Sequence, residues 1–383
     1  MGRALSKAGG VERERVLAFR LHRHRLSRRG APGALVDVAG CAVQNTPPGS
    51  AALALHARVR VDAEDVARAV EQERSLVQVY ALRQSPYFVP TRDLGLFTRA
   101  LLPTDESSLR FLLAPILPRL RADPAETFER TATEVEGALV GRTLTKQELH
   151  AELKKRVPVS MRPLCEACKS HHVPVVLLRA VALRGGYCFA ERQGSEAAFA
   201  RTQDWLGRAP ESVDESAARV ELARRYLGLY GPSSSRELAE WAGIAPAEAE
   251  RAWRAIESEL TEVEAKRWIL GRDAAALRSP PQPAGVRLLP PGDPYLAQRD
   301  RETLLPDKAL RARVWRSIGS PGVVLVDGRL VATWKPAKKG KRLRITVQPF
   351  APIAGAARSH IEAEVEAIAA LRGCTSGETA IES

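Results

Sequence analysis

Aromatic residues are scarce: Phe, Trp and Tyr make up 5% of the 383 residues. That shortage excludes a large ring-built core or a sugar-binding surface. The five cysteines, Cys41, Cys165, Cys168, Cys188 and Cys374, are scattered and odd in number. They argue against a disulfide framework and fit a reducing cytoplasm. No apolar run approaches the ~18–20 residues of a membrane span, and no apolar signal-peptide core opens the chain. A Walker-type phosphate loop, a dinucleotide fingerprint and a His-Glu-x-x-His helix are all missing, so no cofactor is expected.

What the chain has in excess is positive charge. Lys and Arg number 58 against 45 Asp and Glu, a net +13, within an ordinary globular composition of 45% hydrophobic and 27% charged residues. The charge is unevenly placed. Residues 1–30 hold nine Lys/Arg and two acids, net +7, and residues 281–352 hold fourteen and five, net +9. The remainder is slightly acidic. Two basic ends favour nucleic acid as the partner.

Length predicts roughly two to four domains. Up to about residue 275 the apolar spacing is helical, in clusters that each close on short β-like pieces. The first cluster reads as helices over 11–28, 33–42, 49–58 and 62–74, then strands at Leu76–Leu82 and Tyr87–Val89. The second has helices over 91–102, 105–120, 124–138, 145–156 and 160–170 before Tyr187-Cys188-Phe189. The third has helices over 213–229, 234–242 and 246–259 and a strand at Lys266–Leu270. Here Ser233-Ser234-Ser235 caps a helix, Gly243 turns, and Pro246 opens the next helix at its first position. Helix, tight turn, helix and hairpin describe a winged helix-turn-helix, with a plain helical hairpin as the alternative. Its second helix carries Glu248, Glu250, Glu257 and Glu259 against Arg251 and Arg254, an acidic face that suits a scaffold better than a phosphate reader.

Beyond the linker Ser279-Pro280-Pro281-Gln282-Pro283 the period changes to two. Val323–Val326 and Leu330–Trp334 flank the hairpin signal Asp327-Gly328, and Arg342–Phe350 alternates again. A helix is expected near 307–317 and another over 357–371, with a frayed tail after Gly373. The segmentation is 1–90, 91–194, 195–280, 281–352 and 353–383, a mainly α chain with small β-wings (α+β) followed by a β-rich unit.

Several segments together resemble one family, the winged-helix DNA-binding superfamily of the AlkZ- and YcaQ-like DNA glycosylases. They are Gln44 with the helix Ala51–Arg58; Leu76–Arg83; Tyr226-Leu227 through Gly231-Pro232 and Trp241-Ala242-Gly243; Leu288–Tyr295; Arg299-Asp300-Arg301; and Val326–Arg329 with Thr333-Trp334. The resemblance implies three tandem winged helices, in 1–90, 91–194 and 195–280, a barrel-like C-terminal unit over 281–352, and a concave cradle for duplex DNA. It also implies a monofunctional glycosylase that excises alkylated, cationic or bulky purines. The chain would act as a monomer away from membranes, in the cytoplasm with the nucleoid. A catalytically silent duplex binder and a winged-helix transcriptional regulator are the alternatives.

The family's catalytic motif resembles Gln-apolar-Gln ahead of the Ala/Leu-rich helix. The matching positions read Ala42-Val43-Gln44, followed by Asn45. Gln44 is the candidate for holding a water, with Asn45 or a carboxylate such as Asp37 assisting; the alternative is that Gln44 and Asn45 cap the following helix. Candidate phosphate contacts are Arg23, Arg25, Arg28, Arg83 and a basic hairpin tip of Lys335, Lys338, Lys339, Lys341 and Arg342 around Gly340. Cys165-x-x-Cys168-x-x-His171-His172 has the spacing of a zinc half-site, with Cys188 as a remote addition. It also reads as an amphipathic helix with small buried cysteines, and no metal is assigned.

Overall fold

The computed structural model describes residues 12–382. Arg3 and Lys7 of the basic N-terminal stretch lie outside the described residues. The chain forms two compact units of mixed helix and strand. One gathers the chain up to Ala69, Arg225–Glu237 and Ser258 onward; the other holds Val70–Arg224 and Leu238–Glu257. The 195–280 segment is shared between them.

In the Val70–Arg224 unit, Leu76–Tyr80 pairs antiparallel with Pro86–Pro90. Helices Leu94–Thr98, Glu106–Leu113, Pro124–Ala138, Lys146–Arg156 and Val175–Ala182 follow, then the hairpin Tyr187–Gln193 with Glu196–Arg201. Their starts are written in the sequence. Asp123 accepts from the Glu126 N–H at 2.9 Å with Pro124 at the first helical position, and Thr145 and Glu148 form a reciprocal capping box. The expected helix over 160–170 is absent. A short turn at Val159–Met161 gives way to a miniature hairpin, Leu164–Cys165 against Ser170–His171. The cause is Pro163: it removes a donor and disfavours helical backbone at Arg162, which sits at φ −116°, ψ 88°. Ser235–Ala242, Gly243 at φ +77°, and Pro246–Ala255 follow in the expected order; the hairpin Leu260–Glu264/Arg267–Leu270 that comes next in the chain belongs to the other unit. Glu248 is not part of an acidic face. It is 1% exposed, paired with Arg219 at 3.0 Å and Arg251 at 2.9 Å.

In the other unit, the first helix runs Arg13–Arg23, five residues short of expectation at its C-terminus. Leu26 N–H bonds the Leu21 carbonyl and Arg25 N–H the His22 carbonyl, while Arg25 sits at φ +55°. This is a Schellman stop with arginine where glycine is usual, so no sequence signal marked it. Strands Val286–Leu289, Gly322–Val326, Arg329–Lys339, Arg342–Pro349 and Ser376–Ile381 form one sheet in sequence order. The first four are antiparallel and the last is parallel to its neighbour. The order never returns to the first strand, so the expected barrel is an open sheet. The expected frayed tail is its fifth strand, with Arg342–Val347 beside Ser376–Ile381. Polar residues at 376–379 hid it from a hydrophobicity reading. The helix Gly355–Leu371 covers one face, placing Ile361, Val365 and Ile368 against Val324, Trp334, Leu343 and Ile345. Val323 and Leu325 face the opposite cluster with Leu21, Tyr295 and Leu304. Cover on both faces explains why 323–326 is unbroken apolar sequence.

Candidate active site

Three local features fix the chain around Gln44. Val43–Gln44 is extended, the Thr46–Pro47 peptide is cis, and Gly49 adopts φ +89° before the helix Ser50–His56. The Asn45 side-chain oxygen accepts from Gly49 N–H at 2.8 Å and Ala51 N–H at 3.4 Å. Ser50 Oγ donates to the Gln44 backbone carbonyl at 3.1 Å. Asn45 thus caps the helix. Gln44 contributes its main-chain carbonyl there, and its amide goes elsewhere. A methyl group added at Gly292 would sit 3.2 Å from the Gln44 amide carbon and its Oε1, and 3.5 Å from the Thr46 carbonyl oxygen. Gly292 itself has φ +75°, so lack of a side chain is needed for the turn and for the close approach of the amide.

The turn carrying Gly292 is anchored by a buried ion pair. Arg58 donates two hydrogen bonds to Asp293, both at 2.8 Å, and a third to the Ala54 carbonyl at 2.8 Å. Both side chains are 0% exposed. Asp293 also accepts from Tyr295 N–H at 2.9 Å. The same arginine therefore ties the end of the Ser50–His56 helix to the 290–295 turn, which sets the spacing between Gln44 and Gly292. Burial works to lower the Arg58 pKa, but Asp293 beside it outweighs that and raises it, so the guanidinium stays charged. Mutual neutralisation leaves no net charge beneath the amide.

Ala42, at the place of the motif's first polar residue, is 1% exposed with φ +55°. It is a buried left-handed corner beside Cys41, whose S–H donates to the Val38 carbonyl at 3.2 Å. Asp37 is exposed on the short helix Leu35–Ala39. Sequence reasoning missed His24, 1% exposed, with its ring 4.9 Å from Tyr230 and 5.6 Å from Tyr295. Burial first, then Arg58, Arg20 and Arg23, holds its pKa well below the usual histidine value, so it is neutral. It also missed the roles of Gly292, Arg58 and Asp293. Arg58 and Asp293 stood in the resembling segments, but a pair separated by 235 positions has no local signal.

The candidate DNA contacts fall into two kinds. Arg25 and Arg28 are exposed, as are Lys335, Lys338, Lys339, Lys341 and Arg342. Arg23 donates to the Gly228 carbonyl at 2.7 Å and pairs with Asp273 at 3.7 Å. Arg83, at φ +50°, donates to the Trp241 carbonyl at 2.7 Å and to Tyr87 Oη at 3.3 Å. On the hairpin Arg329–Lys339/Arg342–Pro349, Lys335 and Lys339 share one face. Lys338 takes the other, opposite buried Leu343, and its Nζ donates to the Arg372 carbonyl at 3.1 Å, just past the Gly355–Leu371 helix.

Among the described residues no helix is long and apolar enough to cross a membrane. Comparison with curated proteins gave no match. Among solved structures, the chain is similar to the Streptomyces sahachiroi DNA glycosylase AlkZ, with a TM-score of 0.76 and 24% identity. The likeness covers 98% of this chain and 100% of that one, and at that identity it speaks for the fold. The family described as DNA glycosylase AlkZ-like matches residues 39–371, a span that takes in the Gln44 segment, the 290–295 turn and the basic hairpin. The chain therefore belongs to the AlkZ-like DNA glycosylase family, a family of DNA-repair glycosylases.

Proposed function

We propose that this protein is a monofunctional glycosylase that excises alkylated purines from duplex DNA, with Gln44 holding the attacking water. The observation that supports it is the Gln44 amide lodged against Gly292, on a turn fixed by the Arg58–Asp293 pair. An N3- or N7-alkylated purine is a cationic leaving group. Its C1′–N bond breaks with the electron pair passing to the purine, which becomes neutral. Water bonds to C1′ and releases its proton to solvent. A neutral amide positions that water without acting as a base, which suffices when the leaving group is already activated. Asn45 is a positioning residue: it fixes the start of the helix and thereby the Gln44 backbone.

In this reading the 1–90, 91–194 and 195–280 segments are winged helices, and the protein is a monomer working with the nucleoid. Arg25, Arg28, Lys335, Lys339, Lys341 and Arg342 meet phosphates. Arg23 and Arg83 serve mainly as internal supports. The second reading, a silent duplex binder, is favoured by one feature: the place of the motif's first polar residue is taken by the buried, apolar Ala42.

Release of free base from methylated duplex DNA decides between the two. The parent should release base. Gln44→Ala should lose release while keeping its fold and duplex affinity, because the amide matters only as water and sugar cation align. Gly292→Ala should also lower the rate by displacing the amide. No release by the parent on any alkylated duplex leaves the silent binder, and full activity in Gln44→Ala rejects Gln44 as the catalytic residue.

A further inference from the structure

The miniature hairpin Leu164–Cys165/Ser170–His171 has no apolar core of its own. Leu164 is 41% exposed, Cys168 and His171 are exposed, and only two residue pairs form its ladder. What it does assemble is a donor set. One ligand atom each from Cys165, Cys168 and His172 lie within 4.8 Å of one another. Tetrahedral zinc with Zn–S of about 2.3 Å and Zn–N of about 2.0 Å needs ligand atoms only slightly closer than that.

The histidine is oriented for a metal. His172 Nδ1 lies 2.9 Å from the Val173 carbonyl, and a carbonyl can only accept, so Nδ1 carries a proton and Nε2 is the nitrogen that turns toward the cysteines. Metal-binding histidines are oriented in this manner. His171 is turned away, with Nδ1 2.8 Å from the Arg162 carbonyl. Nearby, the His150 ring on the helix Lys146–Arg156 stands edge-on 5.2 Å from His172, and its Nδ1 is buried with no hydrogen-bond partner. Cys188 is not in the cluster. It is buried in a strand, its thiol pushed up to about 12 by burial.

We propose that Cys165, Cys168, His172 and His150 form a structural zinc site that staples the 164–171 hairpin to the Lys146–Arg156 helix. Two thiolates and two imidazoles select zinc over hard cations, and four protein ligands leave no open position for catalysis.

The test is metal content of the full chain, expressed with zinc and gel-filtered. About one zinc per chain is expected by elemental analysis, lost in Cys165→Ser and Cys168→Ser. Cobalt substituted into the parent should show a thiolate-to-cobalt charge-transfer band and intense tetrahedral d–d bands. His150→Ala should weaken those d–d bands and reduce affinity at least tenfold. The proposal is overturned if the parent, with Cys165 and Cys168 shown reduced by thiol titration, takes up neither zinc nor cobalt. A purified chain with an intramolecular Cys165–Cys168 disulfide that regains no metal after reduction overturns it equally. An unchanged cobalt spectrum in His150→Ala overturns the fourth ligand. The cobalt titration of the parent decides the matter even where the serine variants fail to fold.

Discussion

Between Arg13 and Arg29 the chain has seven arginines, and five are occupied internally or by a neighbouring acid. Arg13 holds the Thr303 and Leu304 carbonyls, Arg15 pairs with Glu12, and Arg23 and Arg29 pair with Asp273 and Glu364. Arg20 is fully buried and binds Gly231 O, Pro232 O, Gln298 and Asp300. The hairpin tip around Gly340, Lys335 to Arg342, has five cationic side chains, and of these five only Lys338 makes an internal contact. By sequence charge the two regions look alike. By structure the first is mostly scaffold and the second mostly open charge. Net charge over a window therefore measures a field, while the availability of each cation depends on partners that lie far away in sequence.

The comparison is broken hardest at a buried arginine. Arg58→Ala removes one half of a fully buried pair and leaves Asp293 charged without a partner. A stability loss of about 3–5 kcal/mol is expected. Denaturant unfolding measures it, and a loss below about 1 kcal/mol, the scale of an exposed pair, would show that burial gives these arginines no structural weight.

Changing Lys339, Lys341 and Arg342 together to Ala should do the reverse. Stability should move little, since none of the three makes an internal side-chain contact. Duplex affinity should fall roughly tenfold or more, and the log–log salt slope should shrink by about 0.9 for each lost phosphate contact, about 2.7 in all. Fluorescence anisotropy across a salt series reads both. A slope equal to the parent's places the hairpin away from DNA and makes both basic regions scaffold.

How much of this was legible follows the range of the interaction concerned. Helices begun by Asp123-Pro124 and Thr145-x-x-Glu148 were readable, because a cap is complete within four residues. The turn at Asp327-Gly328 was readable for the same reason, with φ +46° and +78° in the structure. The stop after Arg23 was not, since an arginine took the left-handed position. The strand 376–381 was not, because its pairing with Arg342–Val347 supplies what its own residues lack. At the candidate site, the sequence offered Gln44 and Asn45 either for holding water or for capping, and only coordinates separate Asn45 as the cap from Gln44 against Gly292. The Arg58–Asp293 pair and the neutral His24 arise from long-range packing and have no local signature.

His24 sharpens the comparison from inside the arginine-rich region. It sits near Arg58, Arg20 and Arg23, and its folded pKa is depressed, chiefly by burial. The unfolded chain takes up a proton on this ring below about pH 6.5, and the folded chain does not. Its contribution is therefore complete above that pH and lost as pH falls from there toward the folded value, at up to about 1.4 kcal/mol per pH unit. The difference in stability between the parent and His24→Phe, followed from pH 7.5 to about 5, should shift by that slope in favour of the variant. Parallel curves would mean that His24 becomes charged with little penalty, and that the arginines around it are better solvated than their burial implies.

The smallest effect belongs to Lys338, the one cation of the five at the hairpin tip with an internal contact. Its Nζ reaches the Arg372 carbonyl at the end of the Gly355–Leu371 helix, where the backbone dipoles leave partial negative charge. Lys338→Ala should cost about 0.3–1 kcal/mol of stability, the usual worth of a cation at a helix C-terminus. The salt slope for duplex binding should match the parent's, because this side chain projects from the face that carries the core, opposite Leu343, while Lys335 and Lys339 project from the other. Lys339→Ala is the paired control: stability unchanged, slope reduced by about 0.9. If Lys338→Ala instead lowers the slope by the same amount and leaves stability untouched, its contact with the helix end is not a structural tie. The hairpin would then be uniformly open charge, and the line between scaffold and open cation would run between the two regions rather than through the hairpin itself.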